Sequence, residues 1–248
     1  MNLTKAFAVM VVLATAACNS TTSTENSANN STSIQANASS GHTDCLLSHA
    51  NKGTLNQLLP LEVIKKYVAV PDQAQKKYDF RAEADRHDRD TYEYTWDSDR
   101  TQTLKIMGRE ITAPVSNRVG LSWVGSDLFM ISGKPTPLEN FKAFYRNMTA
   151  AEKEAAFEKV GERMKEKGYS DKETNLAKDM AKDLSSEKIM FKEVTGIGDA
   201  ASWRVMEKQL TVLVGKITFQ VGVDVSNNEE ENIELAKKIA TEVLAKCK

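Results

Sequence analysis

Residues 209–248 read QLTVLVGKITFQVGVDVSNNEEENIELAKKIATEVLAKCK. Leu210, Val212 and Val214 alternate along the chain, and Gly215-Lys216 then supplies a two-residue turn. Ile217, Phe219, Val221, Val223 and Val225 take the alternation up again. Period-two patterning on both sides of a short glycine turn predicts an antiparallel hairpin with one face in a core. The interleaved Thr218, Gln220, Gly222 and Asp224 mark a second face that is either wet or covered by small polar contacts. The period then changes. Asn227 or Asn228 caps a final helix, Glu229, Glu230 and Glu231 suit its positive end, and Lys246 and Lys248 suit its negative end. Ile233, Ala236, Ala240 and Val243 fall on one helical face that packs on the sheet. The fold class expected is α+β, an antiparallel β-sheet flanked by helices.

Upstream of this hairpin, Gly196-Ile197-Gly198-Asp199-Ala200-Ala201 has the Gly-x-Gly-x-x-Ala spacing of a dinucleotide loop. That chemistry needs a helix N-terminus directly after the loop to hold a pyrophosphate. Trp203-Arg204-Val205 and an alternating strand follow instead. The glycines therefore read as a turn that places Trp203 in the core, and no cofactor is expected. Further back, Thr149-Ala150-Ala151-Glu152 and Ser170-Asp171-Lys172-Glu173 are capping boxes. The first opens a helix with a Phe157, Val160, Met164 stripe that stops at Gly168. The second opens a helix with Leu176, Met180 and Leu184 on one face. Narrow apolar stripes on charged helices suggest a hairpin of helices lying on the sheet's surface.

Residues 91–96 and 101–107 alternate in β-rich sequence around Asp97-Ser98-Asp99-Arg100, which reads as a hairpin loop; 118–124 and 128–132 read as further strands. Residues 58–68 put Leu58, Leu61, Ile64 and Val68 on one helical face, with Pro60 in the first turn.

The N-terminus has a different character. Lys5 precedes an apolar run, residues 6–17, broken only by Thr15. The run is too short to cross ~30 Å of hydrocarbon and fits a signal peptide, assigned to residues 1–17. Ala14-Thr15-Ala16 offers ordinary signal peptidase a small-x-small site, which would leave a soluble protein. Thr15-Ala16-Ala17-Cys18 instead resembles the bacterial lipobox, in which the cysteine thiol is acylated and cleavage falls just before it; Thr15 stands where that pattern has Leu. The resemblance implies lipidation at Cys18, and the Asn19 that follows implies, by the enterobacterial rule, the outer membrane. Residues 19–44, rich in Ser, Thr, Asn and Ala with Ile34 as their one bulky aliphatic, are expected to form a disordered tether. With Cys18 acylated, Cys45 and Cys247 remain out of three cysteines, and an oxidising compartment would let them pair.

The run "GIGDAASW…QLTVLVGKITFQVGV…LAKKIATEVLAK" and the opening "CLLSH…LLPLEVIKKYV" resemble bacterial lipoproteins with a PsbP-like or LpqN-like domain. The match covers the two ends, about a third of the chain. It implies a domain at residues 45–248, led by a helix starting at Cys45 and interrupted by a helical insertion at about 138–187. It implies no catalytic residues.

Charge and motif content narrow the functional classes. With 33 basic and 34 acidic side chains the formal net charge is -1, which speaks against nucleic acid as a partner. Asp85, His87, Asp88 and Asp90 could ligate a cation, but Arg81, Arg86 and Arg89 interleave and repel one. His42, Cys45 and His49 have conceivable zinc spacing with only three ligands. Ser122 in "GLSWVG" misses the nucleophile elbow by one position, and His87 would have to serve as its base. Met164, Met180 and Met190 are read as core fillers rather than soft-metal ligands. The reading is a lipid-anchored envelope protein, a non-enzymatic interaction or assembly module whose helical pair, residues 149–185, offers the contact surface. The alternative is a small-ligand-binding protein or weak hydrolase with a pocket between sheet and helices.

Overall fold

The structure, a computed structural model, describes residues 35–79, 89–106, 109–127, 134, 136–185 and 190–247. A seven-stranded antiparallel sheet has the spatial order β1 (Gln75–Asp79), β2 (Thr91–Trp96), β5 (Asn117–Asp127), β9 (Ile217–Asp224), β8 (Gln209–Val214), β7 (Ala200–Arg204) and β6 (Phe191–Val194). Two further strands, β3 (Thr101–Ile106) and β4 (Arg109–Pro114), pair only with each other. With the sheet go helices α1 (Gln35–Asn51), α2 (Leu55–Leu58), α3 (Leu61–Lys65), α4 (Pro137–Phe144) and α7 (Glu229–Ala245); a second compact unit holds α5 (Ala150–Glu166) and α6 (Asp171–Ser185).

The C-terminal hairpin forms as its alternation predicts, with Val214 opposite Ile217 across a turn whose Gly215 has φ 61°. Leu210, Val212, Ile217, Phe219, Val221 and Val223 are fully buried in one cluster with Ala236, Ile239, Ala240 and Val243 of α7 and Leu46 of α1. Each such Leu, Ile or Phe contributes about 1.5–3 kcal/mol of burial. Asn228 caps α7 by accepting from the Glu230 amide at 3.0 Å. The second sheet face is covered rather than wet, because Thr211, Thr218 and Gln220 are all buried.

The glycine turn before β7 has a structural explanation. The Asp199 amide donates to the Leu213 carbonyl at 2.8 Å, and its carboxylate accepts the Gly215 N–H at 2.6 Å. Gly198, at φ 59°, lies so close that a Cβ there would stand 2.4 Å from the Leu213 oxygen. The motif therefore clasps the β8–β9 turn and leads into a strand that buries Trp203 completely.

Four expectations are corrected. Residues 91–96 and 101–106 are strands, but not a hairpin: β2 pairs with β1 and β5, while β3 pairs with β4. Local alternation specifies a strand's faces and leaves its partner open. Residues 58–68 are not one helix: α2 ends at Leu58 and α3 begins at Leu61, because the residue before proline is pushed out of helical geometry; Leu59 sits at φ -125°, ψ 68° and Pro60 becomes an N-cap. Tyrosines of the sheet replace the missing side-chain caps: Tyr78 Oη accepts the Leu55 amide at 3.4 Å. Burial pushes the Tyr94 hydroxyl well above its ordinary value, helped by its bond with Tyr92 and opposed by the Leu61 amide. The helix expected to start at Cys45 starts at Gln35, so residues 35–44 are helical, not tether. Thr43 holds that segment down, buried, with its hydroxyl donating to the Val214 carbonyl at 3.2 Å. Lastly, α4 belongs with the sheet unit, so the separate helical unit begins at Asn147 rather than near 138. The capping box at Thr136 and Glu139 sets the start of α4, and Tyr145 just beyond it packs edge-on against Phe191 of β6 at 5.8 Å.

On the outer side of the helices, Glu242 of α7 accepts from Tyr67 Oη at 2.7 Å and Lys66 Nζ at 2.9 Å. Tyr67 first and Lys66 second hold the Glu242 carboxyl below the usual carboxylate range. A depressed carboxylate stabilises the fold above its unfolded pKa, and the contribution disappears as pH falls through the folded value. Glu242→Gln should thus lower the urea midpoint at neutral pH, and the difference from wild type should shrink as pH falls through the folded carboxyl's lowered pKa, which a series of urea titrations from pH 7 downward measures.

Candidate functional site

Cys45 and Cys247 are joined in a disulfide with their Cα atoms 5.4 Å apart. The bridge ties the middle of α1 to the residues just past the end of α7, and Cys247 is buried. Cys18 lies outside the described residues. At His42, Cys45 and His49, whose spacing is conceivable for zinc, the disulfide leaves Cys45 no thiolate to offer, and His49 Nδ1 is engaged with Thr54 Oγ1 at 2.9 Å. Asp85, His87 and Asp88 lie outside the described residues, while Asp90 is fully buried at the entry to β2. Among the described residues no group of three or more His, Cys, Asp or Glu is placed to hold a metal ion. Ser122 is buried in β5 and accepts from Gln209 Nε2 at 3.1 Å.

The helical pair carries both capping boxes. Thr149 Oγ1 receives the Glu152 amide and Ser170 Oγ the Glu173 amide, with each glutamate reaching back to the cap amide. Gly168, at φ 80°, ends the first turn region as expected. On α5, Phe157, Gly161 and Met164 are buried, and the Lys178 stem of α6 crosses so close to Gly161 that a Cβ would stand 2.2 Å from it. Leu176 differs from expectation: it is 57% exposed rather than on a packed face. The side chains of Met180 and Leu184 lie outside what is described. The pair thus presents a charged surface with an apolar Leu176 on it.

Within the sheet unit, an open groove of about 390 Å³ is lined by Pro71, Gln73, Gln75, Thr95, Trp96, Asp97 and Ser116. On the second sheet face, burial pushes the Tyr145 hydroxyl above its ordinary value, while polar contacts from Thr211 and Gln220 and the Arg204 charge pull the other way.

One feature escaped the sequence reading. Val119 and Leu121 of β5 point into the core, so alternation assigns Trp123 there too. Instead Trp123 has φ 52° and is 39% exposed, and Val124 fills the buried position. The register between β5 and β9 jumps here, from Ser122 opposite Gln220 to Ser126 opposite Thr218. A bulge of this kind re-aims side chains. Arg89 lies over the exposed indole, its guanidinium carbon 5.6 Å from the ring centroid. The available signal was Gly125 (φ 86°) two residues after a strand tryptophan.

No family model, curated protein or solved structure matches this chain.

Proposed function

We propose that this chain is a bacterial cell-envelope lipoprotein, held to a membrane, the outer one, through acyl chains on Cys18, and acting as a non-enzymatic interaction or assembly module. The observation that carries the reading is the Cys45–Cys247 disulfide. Stable disulfides belong to oxidising compartments, which is where a lipobox-like Thr15-Ala16-Ala17-Cys18 would send the chain. Pairing of the other two cysteines also leaves Cys18 as the odd thiol that acylation would consume. No described helix is long and apolar enough to cross a membrane, so in this reading attachment is through lipid alone. The sheet-and-helix body is proposed to be of the PsbP-like or LpqN-like kind, with the helical unit as its contact surface for a protein partner. Small-ligand binding is the second reading, favoured by the groove lined by Trp96, Gln73 and Gln75. The groove's openness makes it a poor enclosure for a small molecule.

Intact mass of the mature protein from cells tests the address. The expected species begins at a lipid-modified Cys18 and fractionates with membranes. Cys18→Ala should move it out of the mature membrane pool. A water-soluble wild-type species beginning at Ala17 would overturn the proposal.

A further inference from the structure

The groove of the sheet unit is small, about 390 Å³ against the ~300–1,000 Å³ of ordinary ligand clefts, and it is open to solvent. Of its lining, Gln73, Gln75, Asp97 and Ser116 are exposed, Thr95 is half-buried, and Trp96 is 8% exposed. Gln75 stands directly opposite Thr95 in the β1–β2 ladder, so the two share a sheet face. Two amides, two hydroxyls and a carboxylate supply donors and acceptors together, which suits ligand hydroxyl groups that both give and take hydrogen bonds. Among the described residues that line the groove there is no cation to hold a phosphate or carboxylate, and one carboxylate is too few for a metal ion. The apolar share, Pro71 and the Trp96 edge, is small for seating the alternate side chains of an extended peptide.

The walls are braced by the fold itself. On one side Asn117 Nδ2 donates to the Asp97 carbonyl at 3.4 Å and Arg100 Nη2 to the Ser116 carbonyl at 3.3 Å. Ser98 Oγ donates to the Val115 carbonyl, and the Val115 amide donates to the Arg100 carbonyl at 3.0 Å. On the other side the Ala74 amide closes a turn onto the Pro71 carbonyl at 3.0 Å, and the ladder begins at Gln75. Groups held in this way lose little conformational freedom when a ligand binds.

We propose that this groove binds a neutral, unbranched oligosaccharide, whose run of hydroxyl groups lies across the open site. An open groove leaves much of each sugar ring in water, so several rings together supply an affinity that one ring cannot. The inference rests on the second reading above, a ligand in the groove, and needs neither an acylated Cys18 nor a protein partner.

The test titrates the full chain with Cys18→Ser against maltohexaose, cellohexaose and chitohexaose, with glucose, N-acetylglucosamine and a neutral polar hexapeptide alongside. The side-chain amide resonances of Gln73 and Gln75 and the Trp96 Nε1–H resonance are followed. A saturable shift with at least one hexasaccharide is expected, and its monosaccharide should bind at least about tenfold more weakly. The surface double variant Gln75→Ala with Asp97→Ala should lose about tenfold in affinity, read at Gln73 and Trp96, because a charge-assisted hydrogen bond goes with Asp97. The Nε1–H resonance of the fully buried Trp203 checks that the variant folds. Unmoved resonances with every probe remove both the proposal and the groove reading beneath it. Shifts with the hexapeptide alone overturn the saccharide and leave the groove as a binding site. A monosaccharide binding as well as its hexamer, or a double variant binding like its parent, also overturns the proposal.

Discussion

Cys247→Ser is expected to lower the free energy of unfolding by about 3–5 kcal/mol. The bridge joins residues 202 positions apart, so in the chain-entropy picture it removes about 5 kcal/mol of freedom from the unfolded chain. A serine hydroxyl left in the buried Cys247 position adds a smaller local penalty. Urea unfolding of wild type, with and without reductant, against Cys45→Ser, Cys247→Ser and the double variant measures the effect. The double variant should match Cys247→Ser, since each removes the same bond, and Cys45→Ser should lie above both only by the local penalty at residue 247. An unchanged wild-type midpoint in reductant would show that the unfolded state gains nothing from losing the bridge. The bond also bears on how the domain would hang from a membrane. A pull arriving along the N-terminal segment enters α1, and at Cys45 the disulfide passes it to the end of α7. Under the proposed anchoring, load would bypass the sheet, whose strands are threaded between the two cysteines.

What the sequence disclosed follows from the range of each signal. The β8–β9 hairpin, α7 and the two helices of the pair were legible because their determinants are local: alternation around Gly215, the Asn228 cap, and the boxes at Thr149 and Ser170. Partners were not legible. Nothing within residues 91–106 tells β2 to pair with β1 and β5, distant in sequence, instead of with β3. The start of α1 was missed for a related reason. Residues 35–44 have no apolar periodicity of their own, and the Thr43 bond to the Val214 carbonyl comes from the far end of the chain. The Trp123 bulge reversed a correct rule, since period-two patterning holds only while the ladder is regular. Cys45 and Cys247 were paired by setting Cys18 aside as the acylated thiol, which left two of the three cysteines and one possible bond.

Asp224→Ala is expected to cost about 3 kcal/mol, the second-largest effect of any single change considered. Asp224 ends β9, where its carboxylate takes Arg100 Nη1 at 2.6 Å and Lys208 Nζ at 2.8 Å. Arg100 and Asp224 side chains are each 13% exposed and Lys208 27%, so water screens this cluster far less than a surface pair. Arg100 is held further by Asn117 Oδ1 at 3.2 Å and the Asp224 carbonyl at 2.8 Å. Truncation at residue 224 leaves two partly buried cations facing each other, and the guanidinium cannot shed its proton. Arg100→Met with Asp224→Ala should therefore destabilise by about 1–2 kcal/mol less than the sum of the two single changes. Arg100 also sits immediately before β3, so its clasp fixes the root of the β3–β4 ribbon to the sheet. Hydrogen exchange in Asp224→Ala should quicken at the ribbon amides and stay slow in β8, paired on both sides within the sheet. A loss under about 0.5 kcal/mol, with ribbon exchange unchanged, would mean that the three charges are held by solvent and not by one another.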